Sequence, residues 1–137
     1  MGYAEISSPR VAGSRQGRLA FLADPNGVRI EPLQRSEKFR IAPITSGPVR
    51  RLSYVALAAP DLDAAVEFYG THLGMQPDPS DDSPDTASFR LGNDSVKLRK
   101  SLPPATTPIN HPGLAATDPR PDTQDPDGNR LTYRHDL

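Results

Sequence analysis

The chain has 137 residues, enough for one domain or for two very small modules sharing a sheet, and carries 16 Lys and Arg against 17 Asp and Glu. That near balance, without long single-sign runs, argues against a nucleic-acid or membrane-surface protein, and the absence of cysteine excludes disulfides, thiolate metal sites and thiol nucleophiles. No apolar run approaches a membrane span, and the opening MGYAEISSPRVAGSRQGR lacks the apolar middle of a signal peptide, so a cytoplasmic protein is the expectation.

Residues 1–17 show no usable periodicity and read as a flexible arm. Residues 18–35 read as a β-hairpin: Leu19 to Leu22 is a short apolar run, Asp24-Pro25-Asn26-Gly27 is a turn, and Val28 to Glu31 alternates. Residues 36–49 are a linker, and residues 50–137 hold the main module.

That module opens on Arg51 to Gly74. Leu52, Tyr54, Ala56 and Ala58 share one face of a strand, with Ser53, Val55 and Leu57 on the other. Pro60 ends the ladder because it lacks a donor, and Asp61 is placed to cap a helix. Leu62, Ala65, Val66, Tyr69 and Leu73 form one apolar stripe, and Gly74 suits the left-handed residue that closes a helix. Two further strands, Thr86 to Leu91 and Asp94 to Lys100, flank a two-residue Gly92-Asn93 turn.

Most of the 16 prolines follow residue 76. They turn PDPSDDSP and the stretch from Pro103 to Pro126 into loops or extended chain, because proline removes donors and restricts the residue before it.

Two internal repeats run through this order. Asp24-Pro25-Asn26-Gly27 returns as Asp125-Pro126-Asp127-Gly128, each followed by an alternating strand. More faintly, Tyr54 to Asp61 overlays His111 to Asp118 without a gap, keeping Leu-Ala-Ala-x-Asp.

The phrase YVALAAPDLDAAVEFYGTHLGM resembles the opening of a module of the vicinal-oxygen-chelate (VOC) superfamily, which includes glyoxalase I, bleomycin- and fosfomycin-resistance proteins and extradiol ring-cleaving dioxygenases. Both D-P-x-G hairpins resemble the hairpin that closes such a module. The resemblance implies an α+β fold of βαβββ modules forming a curved mixed sheet. It also implies an incomplete second module, since Pro119 to Gln124 leaves no room for a helix and two strands. Either the gene has been cut down, the start lies upstream, or a partner chain completes the sheet; pairing into a homodimer is expected.

In this family a divalent metal (Fe, Mn, Ni, Co or Zn) is held by residues of the opening strands and by an acidic residue of each closing strand, where it offers open positions to two substrate oxygens. Carried onto this chain, the ligand positions fall on Tyr54 and His111 in the two opening strands, on Glu31 and Thr132 in the two D-P-x-G hairpins, and on Lys97 or Arg99 in the middle strands. Only His111 and Glu31 are of ligand type, and a pair seldom holds a catalytic metal without a third donor. Each also has a plainer explanation: His111 as a solvated loop residue among prolines, Glu31 as an outward carboxylate. His72 suits the helix dipole, and His135 lies at a fraying end.

Three functions follow. The first is a metal-assisted lyase, isomerase or ring-cleaving dioxygenase acting on a small oxygenated metabolite, with His111 and Glu31 as metal ligands. The second is a metal-free binder of a small molecule, as in the drug-sequestering relatives, with a cavity lined by Tyr54, Phe89 and Leu98 and with Arg99 available to an anionic group. The third is a truncated module without activity of its own.

Overall fold

The computed structural model describes residues 4–40, 42, 46–102 and 108–135. The first three residues of the expected arm, linker residues 41 and 43–45, and the proline stretch 103–107 lie outside the described residues. The chain forms two compact units, Met1–Ala42 and Pro43–Leu137.

The first unit is a small antiparallel sheet. Strand β2 (Gly17–Ala23) lies at its centre, with β1 (Glu5–Val11) on one side and β3 (Arg29–Ile30) and β4 (Leu33–Arg35) on the other. Residues 5–11, expected as a loose arm, therefore form a strand, and their register with β2 shifts twice, which breaks the periodicity that would have announced it. The expected hairpin forms around Asp24, whose carboxylate accepts from the Asn26 and Val28 amides at 2.9 and 2.8 Å. Gly27 adopts φ +82° there.

The second unit is a seven-stranded mixed sheet. Strand β5 (Val49–Ala59) leads into helix α1 (Leu62–Val66), then β6 (Gln76–Pro77), β7 (Thr86–Leu91), β8 (Asp94–Lys100), β9 (Ile109–Ala116), β10 (Thr123–Gln124) and β11 (Arg130–His135). Their order across the sheet is β10-β11-β9-β5-β8-β7-β6. Strand β6 is a two-residue piece too short to read from sequence, yet it pairs with β7 and completes one βαβββ module.

The halves of this sheet mirror one another. Strand β8 runs parallel to β5, β11 runs parallel to β9, and β5 and β9 meet antiparallel at the centre. The second half repeats the first without its helix and with one strand fewer, because only a short loop joins β9 to β10. The Asp125 turn copies the Asp24 turn bond for bond: its carboxylate accepts from the Asp127 and Asn129 amides at 3.0 and 2.8 Å, and Gly128 takes φ +84°. The two turns nevertheless enter different sheets.

Asp61 caps α1 as expected, accepting from the Ala64 amide at 3.0 Å. After one α-helical turn the chain widens into π-helical turns over Glu67–His72, with the Leu73 amide bonded to the Phe68 carbonyl. The buried face differs from the expected stripe: Val66 and Leu73 are exposed, and Phe68 joins Tyr69 and Ala65 in the core at i, i+3 and i+4 spacing. The Phe68 and Tyr69 rings meet edge to face at 5.1 Å, and Tyr69 lies 6.4 Å from Phe89. Burial of each such ring contributes about 1.5–3 kcal/mol. Leu52 departs from the expected face too, because β5 shifts register between Leu52 and Tyr54, and it is left exposed.

Candidate functional site

Register decides which side chains share the sheet face that carries Tyr54. On β5 and β8, Ala56 pairs with Lys97 and Ala58 with Arg99, and on β7 Ser88 pairs with Lys97 and Thr86 with Arg99. On β9, His111 pairs with Ala56 and Gly113 with Tyr54, and Thr132 of β11 pairs with Gly113. Period-two alternation brings these residues to one side and sends Leu57, Phe89 and Leu98 toward the other.

A pocket of about 190 Å³ opens on this face, lined by Tyr54, His111, Lys97, Arg99, Thr86 and Ser88, with Ala56 and Leu98 in its wall. Of the residues expected to contact a ligand, Tyr54 and Arg99 line it from this face, and Leu98 borders it although its parity is that of the opposite face. Phe89 does not: its parity with Ala87 turns it toward Tyr69 of the helical segment, and it is buried there.

Tyr54, His111 and Thr132, from three neighbouring strands, are all buried, and the Tyr54 hydroxyl is bonded to the other two. The Tyr54 hydroxyl is 3.3 Å from His111 Nε2 and 2.5 Å from Thr132 Oγ1. His111 Nδ1 lies 2.7 Å from Asn110 Oδ1. Burial, followed by the charges of Arg130 and Arg99, pushes the His111 imidazole below its ordinary pKa. A neutral ring with its proton on Nδ1 donates to Asn110, which leaves Nε2 to accept the Tyr54 proton; the phenol oxygen then accepts from Thr132. Thr132 Oγ1 also sits 3.3 Å from the Pro112 carbonyl.

Gly113 makes this cluster possible. The Tyr54 ring lies over β9 at Gly113 to reach Thr132 on β11, and a Cβ at Gly113 would stand 2.0 Å from ring atom Cε1. Cations surround the ring: Lys97 Nζ is 4.5 Å and Arg134 Cζ 5.5 Å from its centroid.

The four places that the family resemblance assigned to metal ligands in this unit, on Tyr54, His111, Thr132 and the Lys97/Arg99 strand, do converge. As a donor set they do not fit a divalent metal. One imidazole, a neutral phenol and a threonine hydroxyl are poor company for such an ion, and two adjacent cations repel it. Among the described residues no group of three or more His, Asp or Glu is arranged to hold a metal. Glu31 is exposed and belongs to the first unit, whereas His111 belongs to the second.

Thr86 and Ser88 are pocket residues that sequence reasoning passed over. Their signal was available: the two-residue Gly92-Asn93 turn sets the β7–β8 register, and that register puts Thr86 and Ser88 beside Arg99 and Lys97.

Among described helices, none is long and apolar enough to cross a membrane. A search of the curated proteins found no match. One similar solved structure is the crystal structure of glyoxalase I from Zea mays, 18% identical over 96% of this chain and 59% of that one, with a TM-score of 0.38. This chain thus spans less than two thirds of that protein. The family model for the Glyoxalase/Bleomycin resistance protein/Dioxygenase superfamily matches residues 51–132, which include the Tyr54–His111–Thr132 cluster and all but the first two residues of the βαβββ module. The chain belongs to the Glyoxalase/Bleomycin resistance protein/Dioxygenase superfamily.

Proposed function

We propose that this domain binds a small molecule in the pocket beside Tyr54 and does so without a resident metal. One observation carries the reading: at the positions where the family resemblance puts metal ligands, His111 and Thr132 are both bonded to the Tyr54 hydroxyl instead. The Tyr54 hydroxyl is occupied by both His111 and Thr132, and Lys97 and Arg99 supply positive charge where a metal-binding member would need negative charge. The domain then stands with the sequestering members of the superfamily and not with its metal-dependent lyases, isomerases and dioxygenases. The cavity, about 190 Å³, is smaller than the roughly 300–1,000 Å³ of drug-sized sites, so the ligand is of metabolite size. Pairing of two chains is part of the same proposal, since one chain supplies one full module and one lacking its helix and a strand.

Metal analysis of the purified protein, with and without His111→Ala, tests this reading. Sub-stoichiometric metal that is indifferent to the substitution supports it. A full equivalent of Fe, Mn, Ni, Co or Zn, lost in His111→Ala, would overturn it and restore the metal enzyme. Equilibrium sedimentation at several concentrations tests the pairing.

A further inference from the structure

We infer that two copies of the chain pair reciprocally, the basic groove on the first unit of each docking on the acidic helical face of the second unit of the other. This deepens the pairing proposed above and rests on it.

The near-neutral total divides unevenly along the chain. Residues 1–42 hold seven Lys and Arg against four Asp and Glu, a net of +3, and residues 43–137 hold nine against thirteen, a net of −4. Residues 6–23 contain Arg10, Arg15 and Arg18 and no carboxylate. Residues 52–89 contain seven carboxylates, of which Asp78 is paired with Arg90, and no Lys or Arg.

On the first unit the cations gather at a groove of about 490 Å³, where Arg15, Arg18, Arg35 and Lys38 stand beside Val11 and Phe39. The β2–β4 register brings two of them there, since Arg18 pairs with Gln34 and Gly17 with Arg35. Arg15 is held in the turn between β1 and β2 at φ +57°, a conformation that residues other than glycine seldom take. Among the described residues none of these four cations forms an ion pair, although the Lys38 ammonium lies 4.8 Å from the Phe39 ring. Glu37 is next to Lys38 in sequence but does not line the groove. Val11, 63% exposed, gives it an apolar contact.

On the second unit Asp63, Val66 and Glu67 fall at i, i+3 and i+4 and share the outer face of the helical segment, because Ala65, Phe68 and Tyr69 take the inner one. All three are exposed. The Glu67 carboxylate also lies 3.5 Å from His72 Nε2, an imidazole charged only when protonated. Each patch therefore sets an exposed valine among charges of one sign. Two like patches repel, whereas the groove of one copy and the helical face of another attract. Because every chain carries one of each, two copies make the contact twice and the assembly closes.

Sedimentation equilibrium of the full chain at about 0.05 and about 0.5 M salt tests this, on the wild type and on two charge reversals, Arg18→Glu/Arg35→Glu and Asp63→Lys/Glu67→Lys. The wild type is expected to pair, and to pair more weakly at the higher salt. Each reversal should raise the dimer dissociation constant at least about tenfold. An equal mixture of the two reversals should pair like the wild type, since each then meets opposite charge at both contacts. A dimer indifferent to both reversals overturns the inference and leaves the pairing standing, and so does a mixture no tighter than its components. Growth past two copies overturns the reciprocal arrangement. A wild type that is monomeric throughout removes both the pairing and the inference, while the small-molecule role is untouched. Circular dichroism establishes that each reversal is folded. Where one is not, the neutral pair Arg18→Gln/Arg35→Gln or Asp63→Asn/Glu67→Gln takes its place and must still weaken the dimer.

Discussion

Replacing Gly113 by alanine would press a methyl carbon into the Tyr54 ring, 2.0 Å from Cε1 and 2.3 Å from Cδ1 and Cζ. Backbone cannot easily move aside, because β9 is clamped between β5 and β11 by ladders on both edges. The ring must leave, or the strands must part. Overpacking of this kind costs about 1–3 kcal/mol. Moving the ring also breaks the Tyr54 hydroxyl's bonds to His111 and Thr132, each worth about 1 kcal/mol. The expected loss is therefore about 2–5 kcal/mol, a large share of the roughly 5–15 kcal/mol that holds a domain together. It should appear as a fall in Tm of roughly 10 °C or more. Urea unfolding followed by circular dichroism measures the loss directly. The double variant Gly113→Ala/Tyr54→Ala identifies its cause: with the ring gone the methyl has space, so the pair should be less destabilised than the sum of its singles. A Gly113→Ala protein within about 0.5 kcal/mol of the wild type, or strict additivity with Tyr54→Ala, would refute the close approach and with it the bonded cluster.

Other outcomes follow from the same geometry. Tyr54→Phe keeps the ring but leaves His111 Nε2 buried without its proton donor, and should cost about 1–3 kcal/mol in urea unfolding. Because His111 titrates below its ordinary value of 6.5, the native state binds fewer protons than the unfolded chain below that pH; the contribution of the neutral ring is complete above it and is lost on acidification. The urea midpoint should drop as pH falls below about 6.5, and the drop should shrink in His111→Gln. The Asp78 carboxyl is held down to about 2 by the Ser80 hydroxyl and then by Arg90, so its contribution persists above pH 3.8 and vanishes as pH falls toward 2; Asp78→Asn should flatten the acid limb in that lower window only. Asp24 and Asp125 make the same turn, but Asp24 is buried and Asp125 only partly so, so Asp24→Ala should lower the melting temperature by more than Asp125→Ala.

Features whose bonds close within a few residues were legible in the sequence. Asp61 caps its helix, Gly74 ends it at φ +67°, Gly92-Asn93 turns a hairpin, and both D-P-x-G segments form one and the same turn. In each case a side chain or a glycine meets backbone no more than four residues away, so identity and spacing suffice. The strand-to-helix opening also carried enough local pattern to point to the superfamily that the 51–132 match shows.

Tertiary structure decided the rest, for reasons of register and partnership. Identical turns at Asp24 and Asp125 feed separate sheets, since a turn determines its own bonds and not the strand its arms will find. Packing took Phe68 into the core and left Val66 and Leu73 exposed, and a two-residue β6 completed the module with no periodicity to announce it. The candidate ligands His111 and Glu31 fell in different units, while Tyr54, His111 and Thr132 met across three strands because Gly113 lacks a side chain. Residue types told which groups were on offer. Only long-range pairing, which depends on the free energy of the whole sheet, could bring those three together beside Lys97 and Arg99.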